Sequence, residues 1–177
     1  MDRERLEEQL AELPLYQYAF IRSEDLVFSE RIRWICEHEC SMYNKSWACP
    51  PAVGSVEECK ARCLSYENGL LITTISEVED ITRLEETLAT RGDHEEITRQ
   101  VLALVRQQAA EAMALSTESC AACKKCTWPD APCRRPERMF PCVESHGIVV
   151  SEMAERIGMD FYAGGNIVTW FSLILFS

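Results

Sequence analysis

Positive charge is what this sequence most lacks. It has 18 Lys and Arg against 29 Asp and Glu, a formal charge of −11 and a pI near 4.8. Phosphate binding needs a basic surface, so nucleic acid is excluded as the main partner. Nucleotide fingerprints are also missing: no Gly-x-Gly-x-x-Gly follows a strand-like run, and there is no P-loop. No nucleophile stands beside a base in a recognisable pattern. The longest apolar run, "IVTWFSLILF" at 167–176, is shorter than the roughly 20 residues that span a bilayer. The first ten residues, "MDRERLEEQL", have no apolar segment of the signal-peptide kind. Gly and Pro, at 7 each, are not enriched, and 47% hydrophobic with 27% charged residues is ordinary for a globular chain, which excludes a mostly disordered one. The expectation is a cytoplasmic protein with reduced thiols. Its 177 residues suit one domain, 1–177, with its own core.

Against these absences stand ten cysteines. In a reducing compartment they point to metal rather than disulfides. They fall in two loops, 36–63 and 120–142, around a body without cysteine at 64–119. The second loop opens "CAACKKCTWPDAPC". Cys120, Cys123 and Cys126 are spaced C-x2-C-x2-C, and Cys133 follows after Pro129 and Pro132. Two-residue gaps let a loop wrap a centre and present successive sulfurs to it. Bacterial ferredoxins use that run for three ligands of one cubane. Structural zinc sites more often use two separate C-x2-C pairs. The spacing therefore favours a 4Fe-4S cluster on Cys120, Cys123, Cys126 and Cys133, with zinc or a redox dithiol as alternatives. Cys142, nine residues further on, reads as a buried free thiol, since four ligands suffice.

The first group is Cys36-x3-Cys40-x8-Cys49, followed by Pro50 and Pro51. These gaps match no zinc knuckle. A second metal centre is one reading. Its fourth ligand would come from Cys59 or Cys63, one turn apart on a helix that restarts at Ser55 with Glu58 as its capping box. The other reading is a set of small buried hydrophobes. His38, between Cys36 and Cys40, is a candidate ligand that reads better as a surface group or one placed behind a ligand. His94 reads as solvated, and His146 as a poor candidate ligand. Lys124, Lys125, Arg134, Arg135 and Arg138 flank the second loop. They either offset an anionic metal–thiolate centre or dock an acidic partner.

Periodicity supplies the body. Residues 2–13 read as an amphipathic helix stopped by Pro14, with Leu6, Leu10 and Leu13 on one face. "LYQYAFI" reads as a strand, and "DLVFS" and "RIRWI" as two further strands or a bent hairpin. "GLLITTI" at 69–75 reads as a buried strand. Ser76 and Glu79 form a capping box for a helix carrying Ile81, Leu84 and Leu88. "TRGDHEE" reads as a turn. Asp93 then caps a long helix with Ile97, Val101, Leu104, Val105 and Met113 on its inner stripe. "ESHGIVVSEMAERIG" reads as a helix ended by Gly158, and "FYAGG" and "NIVTWFSLILF" as strands. The fold class is α+β, or α/β, with a mixed sheet and several helices.

Two segments, "RWICEHECSMYNKSWACPP" at 33–51 and "CAACKKCTWPDAPCRRPERMFPCVESHGIVV" at 120–150, resemble a family of short cysteine-rich proteins of bacteria and archaea. It is catalogued as domain of unknown function 2284, the predicted metal-binding proteins. The resemblance spans most of the chain, with specific motifs in about a third of it. It implies that Cys36, Cys40 and Cys49 belong together, as do Cys120, Cys123, Cys126 and Cys133. Cys59, Cys63 and Cys142 fall outside the family's pattern, which often has Ser in place of Cys142. It implies metal binding of the iron–sulfur kind and no established reaction.

Three functions compete on these grounds. The first is an iron–sulfur electron-transfer or accessory protein with a protein redox partner, since a cluster without a substrate-pocket signature is most simply a carrier. The second is a zinc-stabilised interaction module. The third is an enzyme with an open cluster site at Cys36, Cys40 and Cys49. Oligomeric state is left open.

Overall fold

The two longest apolar runs pair along their whole length. In the computed structural model, which describes residues 2–177, strand β2 (Asn68–Glu77) lies antiparallel to β4 (Ile167–Phe176), from Asn68 opposite Phe176 to Glu77 opposite Ile167. Strand β1 (Gln17–Arg22) adds to the outer edge of β2, and β3 (Ala112–Leu115) to the outer edge of β4. The order is β1-β2-β4-β3, antiparallel at every ladder. The α+β alternative therefore holds, and the mixed sheet expected does not.

Runs this apolar arise because both faces of the sheet are buried. Side chains alternate across a strand. Leu71, Leu173 and Leu175 turn to one face, where they meet helix α6 (Val150–Ile157) through Met153 and Ala154, and helix α3 (Val56–Leu64) through Cys63. Leu70, Ile72, Ile174 and Phe176 turn to the other. There they meet helix α1 (Arg3–Ala11) through Leu6 and Leu10, and helix α5 (Arg91–Arg106) through Val101, Leu102 and Val105. A short helix, α4 (Leu84–Ala89), covers the far end, where Leu88 packs on Val78, Val168 and Trp170. Ile174 is fully buried in the middle of this arrangement, and Ile174→Ala would cost about 2–5 kcal/mol. No helix is long and apolar enough to cross a membrane among the described residues.

Several local expectations need correction. "RIRWI" is no strand: it lies in helix α2 (Glu30–His38), which starts where Ser29 accepts the Arg31 amide at 3.2 Å. Ile32, Ile35 and Cys36 are at helical spacing, and that period overrides the short alternation of Ile32 and Trp34. "DLVFS" contributes a single bridge, Phe28 to Ile148. Ser76 caps nothing, because it still pairs with Val168 in β2; α4 starts at Leu84. "TRGDHEE" is helical: α4 and α5 are separated only by Thr90, itself in αR. Asp93 sits in the first turn of α5 rather than before it. Met113 leaves the α5 stripe because the helix ends at Arg106, and it pairs with Leu175 in β3. "FYAGG" forms no strand. The helix expected over 144–158 is divided at Gly147, whose φ is +75°. A Cβ there would meet Val56 Cγ1 at 2.9 Å, so the position excludes any larger residue. The Ser55–Glu58 capping box, the α1 boundary before Pro14, and the Gly158 stop of α6 are as expected.

Candidate metal centre

The second cysteine loop has no regular structure over its metal-ligand spacing, so its shape comes from its neck and from the other loop. At the neck the Ser116 amide donates to Pro141 O at 2.9 Å and the Val143 amide to Ser116 O at 2.8 Å. Across the loops, Trp47 and Trp128 meet edge to face with centroids 4.6 Å apart. Trp47 Nε1 donates to Ala131 O at 3.1 Å and Trp128 Nε1 to Asn44 Oδ1 at 2.9 Å. The two cysteine loops are thus clamped to each other.

Inside that clamp Cys120, Cys123, Cys126 and Cys133, all half-buried, line one tight space of about 20 Å³ together with Ser46, Trp47 and Met139. Burial would raise the Cys126 thiol. It is outweighed by the amides of Trp128, Trp47 and Thr127 and by the Ser46 hydroxyl, which leave Cys126 below the usual cysteine value. Burial pushes Cys120 up, opposed by the Ala122 amide, which donates to its Sγ at 3.4 Å. N–H donors aimed at sulfur favour the thiolate, the form that binds metal.

The first group opens onto a separate cavity of about 260 Å³. Helix α2 brings Cys36 to it on its last turn, Cys40 follows the helix, and Cys49 comes from the loop that turns at Pro50. The fourth thiol on its wall is Cys142, which the spacing had set aside. The Cys142 amide donates to Ala48 O at 3.1 Å, and its Sγ donates to Glu144 Oε2 at 2.8 Å. Burial, with the thiol of Cys40 beside it, lifts Cys36 to about 11, while the Arg33 guanidinium opposes the rise. Burial raises Cys49 too, with the Ser119 hydroxyl opposing. Ser119 Oγ is buried and has no other partner. Burial and the Glu144 carboxylate push Cys142 far up.

Cys59 and Cys63, the fourth ligands anticipated for this group, line neither space. They do share the buried face of α3, as their spacing requires. Both are fully buried. Cys63 sits in the core with Leu71 and Leu173, and burial pushes it to about 12. Cys59 Sγ donates to Val53 O at 3.3 Å.

The histidines divide differently from expectation. His38 is exposed and stacks on Trp34 with ring centroids 4.4 Å apart. His94 is buried, not solvated: its ring nitrogens meet Thr74 Oγ1 and Ser172 Oγ, each at 2.8 Å. His146 is buried against Cys142 O and Arg62, away from both thiol groups' walls.

Three residues in or beside the first cavity carry no ligand signal in the sequence as read: Arg33, Ser119 and Cys142, the last of which reads there as a free thiol. Arg33 is 8% exposed and donates to Gly54 O at 2.8 Å and to Ser145 O at 2.6 Å. Its helical spacing to Cys36 would have flagged it, had α2 been recognised as a helix. Cys142 and Ser119 carry no spacing signal.

The donor chemistry suits a thiophilic metal. A tetrahedral zinc with Zn–S of about 2.3 Å needs sulfurs about 3.8 Å apart. Among the described residues, no three Cys, His, Asp or Glu side chains are placed to hold a single ion in that way. The thiols stand around spaces rather than converging on a point.

No curated protein and no solved structure matches the chain. The family model described as "predicted metal-binding protein" matches residues 19–176, which takes in β2, β3, β4, most of β1 and both cysteine loops. The chain belongs to that family, domain of unknown function 2284.

Proposed function

We propose that the protein is an iron–sulfur electron carrier or cluster-delivery protein, with a 4Fe-4S cluster held by Cys120, Cys123, Cys126 and Cys133. The observation that carries this reading is the arrangement of those four thiols around one shared space, with amide donors aimed at Cys126 and Cys120. Such donors stabilise thiolate ligands and tune cluster potential. When bound, the cluster supplies one-electron transfer. The chain's own part is to hold it, exclude water with Trp47, Trp128 and Met139, and present it to a partner.

That partner is a protein. Lys124, Lys125, Arg134 and Arg135 gather over the outer side of the same loop, in a chain that is otherwise acidic. An acidic redox protein docked there meets the cluster edge, and its association weakens with added salt.

A zinc staple is the second reading, and one observation favours it: the space of about 20 Å³ is near the size of one water-sized sphere. Metal, iron and acid-labile sulfide analysis of anaerobically prepared protein separates the two. Brown protein with matched iron and sulfide, and a signal in the EPR spectrum of the reduced form, supports the cluster. Colourless, zinc-loaded protein without sulfide overturns it.

A further inference from the structure

We infer that Cys142 is the fourth ligand of a second, independent four-thiolate centre with Cys36, Cys40 and Cys49, and that Arg33 is the buried counter-charge of that centre. The kind of metal centre rests on the reading above; the ligand set does not.

The first support is position. Four thiols from three separate segments stand on the wall of one cavity of about 260 Å³. The placement of Cys142 is built in: its amide bonds to Ala48 O, the residue before Cys49, at 3.1 Å, and its backbone bridges Ser116. Cys59 and Cys63, the other cysteines near in sequence, are turned into the core instead.

The second support is an unbalanced charge. Arg33 is 8% exposed and makes no ion pair among the described residues; it donates to two neutral carbonyls and, at 4.0 Å, to the Cys59 thiol, and its Nε has no partner. Ser145, whose carbonyl it holds, lines the cavity. A guanidinium buried without an anion is costly. Glu118 and Glu144 also line the cavity, but neither forms an ion pair with Arg33 among the described residues. A metal ringed by four thiolates carries net negative charge and would give Arg33 its anion. Ser119 gives a third indication: its buried hydroxyl lines the same cavity without an oxygen or nitrogen partner, and suits donation to a ligand sulfur.

The two centres would also be neighbours. Ser119 lines the first cavity and Cys120, the next residue, the second. Ser46 touches the second space and Cys49 the first. Consecutive Cα atoms are about 3.8 Å apart, so this backbone places the centres side by side, as an intramolecular electron relay needs.

The test is metal and sulfide content with EPR of the reduced form, on the full chain prepared anaerobically. Wild type should hold two centres, about eight iron and eight sulfide for two cubanes. C142A should lose half of both and one EPR component, and C40A, at an exposed position, should lose the same component. Should C142A fail to fold, C142S, which keeps the size, decides by an altered or absent component. Unchanged content and spectrum in the Cys142 variants overturn the inference, as does a wild type with a single centre on Cys120, Cys123, Cys126 and Cys133, which leaves the iron–sulfur reading standing. Zinc without sulfide overturns that reading instead. The ligand assignment is then judged on whether C142A drops from two ions per chain to one.

Discussion

The amide of Cys142 donates to the carbonyl of Ala48 at 3.1 Å. This one backbone bond joins the exit of the second cysteine loop to the middle of the first. It sets Cys142 beside Cys49 on a shared cavity wall. Pairing of that kind is a tertiary fact: the ten cysteines look like two groups along the chain but partition otherwise in space.

Cys59 and Cys63 supply the first prediction. Both are fully buried on α3 and line neither cavity: Cys59 donates to Val53 O and accepts from Arg33 Nη2, and Cys63 packs in the core. C63A and C59A should each lower stability by about 1–2 kcal/mol through the small void left. Metal content should not change. Denaturant midpoints and metal analysis check both halves, and loss of metal in either variant would return that cysteine to the ligand set.

How much of this was legible in sequence depends on the range of the interaction. β2 and β4 were visible because burial on both faces makes them apolar without interruption. The Ser55 capping box and the Gly158 stop were visible because caps act over three or four residues. α2 was misread because five residues, "RIRWI", satisfy both periods; Ser29 and Glu30 just upstream held the deciding signal. His94 was misplaced because its acidic neighbours suggested solvent. Its burial comes from Thr74 and Ser172, which only sheet pairing brings together. The spacing of Cys120, Cys123 and Cys126 is local, and the structure places these thiols with Cys133 around one space. The link from Cys142 to Cys49 depends on the chain crossing of the two loops, which no spacing encodes.

Arg33 should matter for both folding and potential. R33Q removes bonds to Gly54 and Ser145 and should destabilise the protein by about 2–3 kcal/mol. With the centres loaded, loss of a nearby positive charge disfavours the added electron, so the potential of one centre should fall while the other is unchanged. A redox titration followed by EPR reads this directly. Equal shifts of both centres, or none, would contradict the placement of Arg33 behind the Cys36 site.

Trp128 holds the two loops together from outside the ligand set. W128A removes the edge-to-face contact with Trp47 and the bond to Asn44, worth about 1–2 kcal/mol of loop docking. Stability of the sheet should scarcely change. With the proposed cluster loaded on Cys120, Cys123, Cys126 and Cys133, its colour should bleach several-fold faster under chelator, with far-UV circular dichroism unaltered. Equal bleaching rates would show that the loop is held by its metal and its neck alone.

His94 should make the protein acid-sensitive in a definite window. It is neutral in the fold: burial lowers it from 6.5 to about 4, and its ring partners are the uncharged Thr74 and Ser172. The unfolded chain therefore binds a proton that the native state refuses. The stabilising effect is fully present above about pH 6.5 and is lost as pH falls toward about 4, by up to about 3 kcal/mol. Carboxylates and metal release act in the same range, so the comparison must be between chains. H94Q, which titrates nowhere in the window, should show a shallower fall in denaturant midpoint between pH 6.5 and 4 than wild type. The slope that remains has a second histidine source in His146, likewise lowered to about 4 by burial. Parallel pH curves for wild type and H94Q would mean that His94 is already protonated in the fold, with Thr74 and Ser172 both accepting from it.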